Sequence, residues 1–310
     1  MAEDFAEALR AALSDALGFP IAPLERLDGR TTLNFRAVRE TDGMTFAVKC
    51  APPKRYASFR RIARYIDQLG DGGGKTARRL FAGRFDTFRE YQVMCLSWCD
   101  GERLFPDRLT DGQAVALTED YLRFSAALQR VVPADPPVDY AAMRLRGLSD
   151  CRGVWSGRVR GLLEAMTEER LTVSPERRRI VHGDLHHGNF LFRDGRVSGF
   201  FDFENVTEGC PAEDFIRYFV CASEHLRWYE QHRKLRILRV FGIVVATSPY
   251  PLSDWELAID RALTDKICHK VRDRGCGFLM SVNLLFRARY YGKLKRVAAE
   301  ACARRNLKEG

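Results

Sequence analysis

Asp184, Asn189 and Asp202 are oxygen-bearing side chains at a spacing that suits a phosphoryl-transfer centre. In His182-Gly183-Asp184-Leu185-His186-His187-Gly188-Asn189 a carboxylate precedes an amide, and Asp202-Phe203-Glu204 begins thirteen residues after that amide. Asp184 is suited to accept or orient the proton of a hydroxyl nucleophile. Asn189 and Asp202 are hard oxygen donors of the kind Mg²⁺ takes, an ion that keeps several waters and uses few protein ligands. The adjacent His186 and His187 cannot both face one ion. Glu204 reads equally as an acceptor-facing or a structural carboxylate.

Elements must bring these groups together. The run Phe190-Leu191-Phe192, then Asp194-Gly195-Arg196, then Val197 to Phe201 predicts strand, turn and strand. Such a hairpin returns Asn189 to Asp202.

The loop, together with Phe201-Asp202-Phe203-Glu204, resembles the aminoglycoside phosphotransferase and choline kinase family, whose loop typically reads HGDLHxGN. Leu27 to Val38, with Thr32 and Asn34 in it, looks like that family's nucleotide-covering turn between two strands. Thr45-Phe46-Ala47-Val48-Lys49 looks like its third strand with the phosphate-binding lysine, although Lys49 also reads as the polar side of an exposed strand. Tyr91 to Trp98 with Asp100-Gly101-Glu102 resembles the last strand and hinge, and Pro211 to Phe215 resembles the segment whose buried aspartate braces the catalytic loop. These landmarks span roughly residues 20 to 220.

The resemblance implies an α+β, two-lobed protein-kinase-like fold: a small antiparallel β-sheet lobe over 1–100, and a larger, mainly helical lobe for catalysis and acceptor binding over 101–310. It implies transfer of the γ-phosphoryl group of ATP or GTP to a hydroxyl of a small molecule or saccharide, with Mg²⁺. Asp184 is then the catalytic residue, Lys49, Thr32 and Asn34 hold the nucleotide, and Asn189 and Asp202 hold the metal. Two alternatives stay open: a lipopolysaccharide-core sugar kinase, and a catalytically weak pseudokinase that binds nucleotide. Kinases pair the strand lysine with a glutamate on the following helix, yet the helix expected over 54–69 carries Asp67 as its single carboxylate. Glu90 is a weaker substitute, and neither acid is assigned to Lys49. A protein kinase fits less well, because the loop has His-Gly-Asp rather than His-Arg-Asp.

Apolar periodicity predicts helices over 4–17, 54–69, 112–131, 153–172, 212–241, 253–274 and 278–303. Asp71-Gly72-Gly73-Gly74-Lys75-Thr76 fails the phosphate-loop spacing, since position 69 is leucine, and reads as a turn. No apolar run approaches the ~20 residues that cross a bilayer, and the N-terminus lacks signal-peptide features, so a cytoplasmic protein is expected. Nine cysteines without a CxxC pair read as buried or incidental thiols.

The formal charge is +9. Residues 221–310 hold 18 Lys and Arg against 9 Asp and Glu, a difference of +9, which leaves 1–220 neutral. Solvated helix faces are one reading. The other is an acceptor region whose basic groups, among them Arg227, Arg233, Arg287, Arg289 and Lys293, favour a neutral or anionic acceptor and admit contact with a membrane surface. No recognition motif for nucleic acid accompanies the charge, and the oligomeric state is not legible.

Overall fold

The structure, a computed structural model, describes residues 2–29, 32–70, 76, 78–81, 87–132, 171–224, 226, 230–274 and 278–309. The smaller lobe is an antiparallel sheet of β1 (Glu25–Leu27), β2 (Leu33–Val38), β3 (Thr45–Ala51), β4 (Arg79–Leu80), β5 (Thr87–Phe88) and β6 (Tyr91–Ser97). Its order is β1-β2-β3-β6-β4, with β5 also on β6.

Alternation along the two central strands sends side chains to two separate cores. Phe46, Val48, Cys50, Val93 and Cys95 face α1 (Ala2–Leu17), whose Leu9, Leu13 and Leu17 recur at helical spacing. Ala51, Met94 and Leu96 face α2 (Tyr56–Leu69) and merge with the core of the larger lobe. Lys49 points to this second side, toward the junction of the lobes. Burial pushes the thiols of Cys50, Cys95 and Cys210 up to about 12, as expected of inert core cysteines.

The hinge is tied rather than free. Glu102 and Phe192 exchange both backbone hydrogen bonds, at 2.8 and 2.9 Å. Gly101 beside them has φ +143°, and a Cβ there would overlap the Phe192 carbonyl. Phe192 lies on β8 (Phe190–Arg193), which pairs with β9 (Arg196–Phe200) as the expected hairpin, with Asp194 and Gly195 at its turn. A second small sheet joins β7 (Arg179–Val181) to β10 (Thr207–Gly209).

Helix α3 (Asp111–Leu128) starts at a capping box, in which Thr110 and Gln113 satisfy each other's backbone N–H. Helix α5 (Gln231–Thr247) packs on it, α4 (Glu213–Glu224) and α7 (Phe278–Glu309) pack on α5, and α6 (Leu252–Arg274) packs on both α4 and α7, with its Trp255 fully buried. The run expected as one helix over 212–241 is thus two helices, and the second continues to Thr247, where Ser248 and the Pro-Tyr-Pro segment stop it. The helix expected over 153–172 and the glycine run 71–75 lie outside the described residues, except for the end of that helix at Leu171 and Thr172. Among the described residues no helix is long and apolar enough to cross a membrane.

The inner face of α3 supports the β8–β9 hairpin directly. Phe124 is 1% exposed and stacks on Phe200 at 4.2 Å, with Phe203 at 6.0 Å. Phe124→Ala should cost about 3–5 kcal/mol, the range for emptying an aromatic core position, read as a lower midpoint in urea unfolding.

Candidate active site

The loop from His182 to Asn189 leaves β7 and is held from beneath by one buried carboxylate. Asp214, 0% exposed on the first turn of α4, accepts the His182 and Gly183 N–H groups at 2.8 and 2.9 Å and the Tyr121 hydroxyl at 2.6 Å. Burial, and then the carboxylate, raise the Tyr121 pKa far above its ordinary value, so its hydroxyl stays a donor. Gly183 has φ +77°, and any Cβ would overlap the Asn205 carbonyl, so the turn takes no other residue without strain. His182 is fully buried; its Nε2 is 2.9 Å from the Phe201 carbonyl, and its Nδ1 faces the Asp184 N–H at 3.3 Å. Those partners assign the proton to Nε2 and make the ring a brace between loop and hairpin.

The hairpin closes on the loop through the Phe201 N–H, which donates to the Asn189 carbonyl at 3.0 Å. The Asn189 Nδ2 donates to the Asp184 carbonyl at 2.9 Å, which commits the amide nitrogen and turns the oxygen the other way. Asp202 follows at once in the left-handed region, φ 69° and ψ 61°. Such a conformation costs a non-glycine residue on the order of 1 kcal/mol and aims the carboxylate back toward the sheet. There Lys49 Nζ lies 3.8 Å from Asp202 Oδ1. An amide oxygen beside a carboxylate is a donor set that fits a hard divalent cation.

Asp184 is the third oxygen group. Arg217 Nη1 is 3.4 Å from its Oδ1, Asn205 Nδ2 3.5 Å from its Oδ2, and His186 Nε2 3.9 Å from the same oxygen. Burial pushes the His186 imidazole below its ordinary pKa, and Asp184 offsets part of that, so the ring is neutral at neutral pH. His187 turns away and stacks on Phe105 at 4.0 Å. Thr32 and Asn34 pin their own turn: the Thr32 hydroxyl donates to Asn34 Oδ1 at 3.0 Å, and Asn34 Nδ2 donates to the Asp28 carbonyl at 3.2 Å.

Helix α2 reaches the site without a lysine partner. Asp67 forms a two-pronged pair with Arg79 at 3.0 and 2.8 Å, and the acid beside Lys49 is Asp202. The helix is joined to the site in the reverse sense: Arg55, just before α2, and Ser58 in its first turn both donate to Glu204 Oε1, at 3.3 and 3.1 Å. Glu204 therefore acts as a strut. Of the basic groups expected from 221–310 to line an acceptor region, one is committed elsewhere. Arg233 is bound to Asp107 and Glu230, each at 2.7 Å, while Arg227 and the side chain of Arg287 lie outside the described residues. The cation beside Asp184 is Arg217, which lies in the neutral part of the chain. Its position three residues after Asp214, on the same helix face, is the signal that could have found it.

The sequence model of the phosphotransferase enzyme family matches residues 13–238. Among solved structures, a putative aminoglycoside phosphotransferase from Ralstonia eutropha is 18% identical, with 95% of this chain and 98% of that one covered and a TM-score of 0.58. The GDP complex of aminoglycoside 2'-phosphotransferase-IIIa is 15% identical, covering 95% and 99%, at a TM-score of 0.58. A thermostable aminoglycoside phosphotransferase with ADP and hygromycin B is 14% identical, covering 94% and 98%, at 0.52. No curated protein sequence matches the chain.

Three donors converge on Asp214, so Asp214→Asn should be costly: its amide nitrogen would face a donor where an oxygen now accepts. One stranded buried donor costs about 1–3 kcal/mol. The expected outcome is a lower thermal midpoint together with loss of phosphoryl transfer, measured on the same preparation.

Proposed function

The chain belongs to the phosphotransferase enzyme family, and on that premise we propose that it moves the γ-phosphoryl group of ATP or GTP to a hydroxyl of a small molecule or saccharide, with Mg²⁺. The observation that carries the site assignment is the meeting of Lys49 with Asp202 across the lobe junction, while the hairpin ties Asp202 to the loop that bears Asp184. In this reading Lys49 holds the nucleotide phosphates and the Thr32–Asn34 turn covers them. The Asn189 amide oxygen and Asp202 hold Mg²⁺, which, when bound, neutralises charge on the phosphates. Asp184 orients the acceptor hydroxyl and takes its proton as the O–P bond forms.

Residues 1–100 would then supply the nucleotide contacts, and residues 101–310 the catalytic groups and the acceptor pocket. The contact of Lys49 with Asp202 favours a transferring enzyme over a silent nucleotide binder. The acceptor is proposed to be neutral or anionic, because the cation nearest the reacting hydroxyl is Arg217. A sugar of the lipopolysaccharide core is one acceptor of that kind.

Asp184→Asn should cut transfer by well over tenfold, more than about 1.4 kcal/mol of barrier, and leave nucleotide affinity within a few fold. Coupled nucleoside-diphosphate release and equilibrium binding measure the two, and retention of a tenth of the activity would remove Asp184 from the catalytic role. Asp202→Ala should abolish Mg²⁺-dependent nucleotide binding. Equal affinity with Mg²⁺ and with a chelator is the wild-type result that would refute the metal assignment.

A further inference from the structure

A cavity of about 680 Å³ lies between α2 and the β4–β6 edge of the sheet. It shares no lining residue with Lys49, Asp184, Asn189 or Asp202, and in the strand order it sits on the opposite side of β3 from the Thr32–Asn34 turn. Its volume falls in the range of small-molecule sites.

Its charge is one-sided. Arg60 and Arg64 stand one helical turn apart on the same face of α2, and Arg79 of β4 faces them across the opening. The one acid in the lining, Asp67, is already held by Arg79. The Arg60 guanidinium reaches the Gln92 side-chain oxygen at 2.9 Å when that amide is oriented to accept, whereas Arg64 makes no hydrogen bond or ion pair among the described residues. Gln68 accepts the Val132 N–H through its side-chain oxygen, which leaves its amide N–H₂ as a further donor at the rim. The floor is apolar, made by Phe59, Ala63 and Met94.

We propose that this cavity binds a small phosphomonoester, with the phosphate between Arg60 and Arg64 and an apolar or aromatic body on Phe59 and Met94. Guanidinium groups bind phosphate through charge-assisted, paired hydrogen bonds, and two of them on adjacent turns match its spread of oxygens. A carboxylate would satisfy one arginine and leave the other. The site would be distinct from the nucleotide cleft, and it abuts the helix whose first turn grips Glu204, two residues from Asp202.

The test is isothermal titration of the full chain with phenyl phosphate, with Mg²⁺ and saturating ADP or GDP filling the nucleotide cleft. Saturable one-to-one binding, tighter than that of inorganic phosphate, is expected. Arg60→Gln with Arg64→Gln should weaken it at least ~10-fold, and Arg64→Gln alone should weaken it partly without touching the Arg60–Gln92 contact. Matched thermal midpoints would show that both variants are folded. No saturation at millimolar phenyl phosphate, binding that survives the double substitution, or binding that vanishes once the nucleotide cleft is filled would each overturn the proposal.

Discussion

One buried carboxylate sets the geometry on which the site depends. Asp214 belongs to α4, yet its two oxygens collect the backbone N–H groups of His182 and Gly183 and the Tyr121 hydroxyl from α3. A loop whose backbone donors are consumed from below cannot drift. Its next residue, Asp184, must then emerge on the upper side, where Arg217 from the same helix meets it. Helix, loop and hairpin are thus registered to one another by an acid that is itself fully buried. The aromatic layer of Tyr121, Phe124, Phe200 and Phe203 fills the space around it and excludes water from those hydrogen bonds.

The second organising feature is a reversed connection between α2 and the rest of the site. Where the family resemblance led one to look for an acid on the helix meeting the strand lysine, the helix side brings Arg55 and Ser58, and the acid is Glu204. Among the described residues Lys49 pairs with Asp202. The position of α2 is therefore coupled to the Asp202-Phe203-Glu204 segment rather than to the sheet lysine. Displacing the helix would be felt first at a carboxylate already held in a left-handed conformation.

Much of this was legible in the chain. The Asp184, Asn189 and Asp202 spacing, the hairpin with Asp194 and Gly195 at its turn, and the helix expected over 54–69, which starts two residues later at Tyr56, follow from local pattern, because residue type and period decide them without reference to the rest of the fold. Ion pairing does not follow in that way. The sequence assigns no acid to Lys49, and Asp67, the single carboxylate on the helix expected over 54–69, is claimed by Arg79, on a two-residue strand with little periodicity of its own. Counting charge over 221–310 does not locate the cation beside Asp184. Net charge is a sum over a segment, whereas the field at Asp184 is set by the nearest guanidinium, and that one comes from α4.

The paired hydrogen bonds between Glu102 and Phe192 have a dynamic consequence. They staple the hinge to the hairpin that carries Asn189 at one end and Asp202 just beyond the other, so the two lobes share a fixed edge there. Domain opening in a two-lobed molecule must rotate about whatever contact is retained. Here the retained contact is a backbone ladder, so the cleft would swing like a book held at its spine: wide at the Thr32–Asn34 turn, and almost motionless beside Gly101. Asn189 and Asp202, at the two ends of that hairpin, would keep their separation through such a motion.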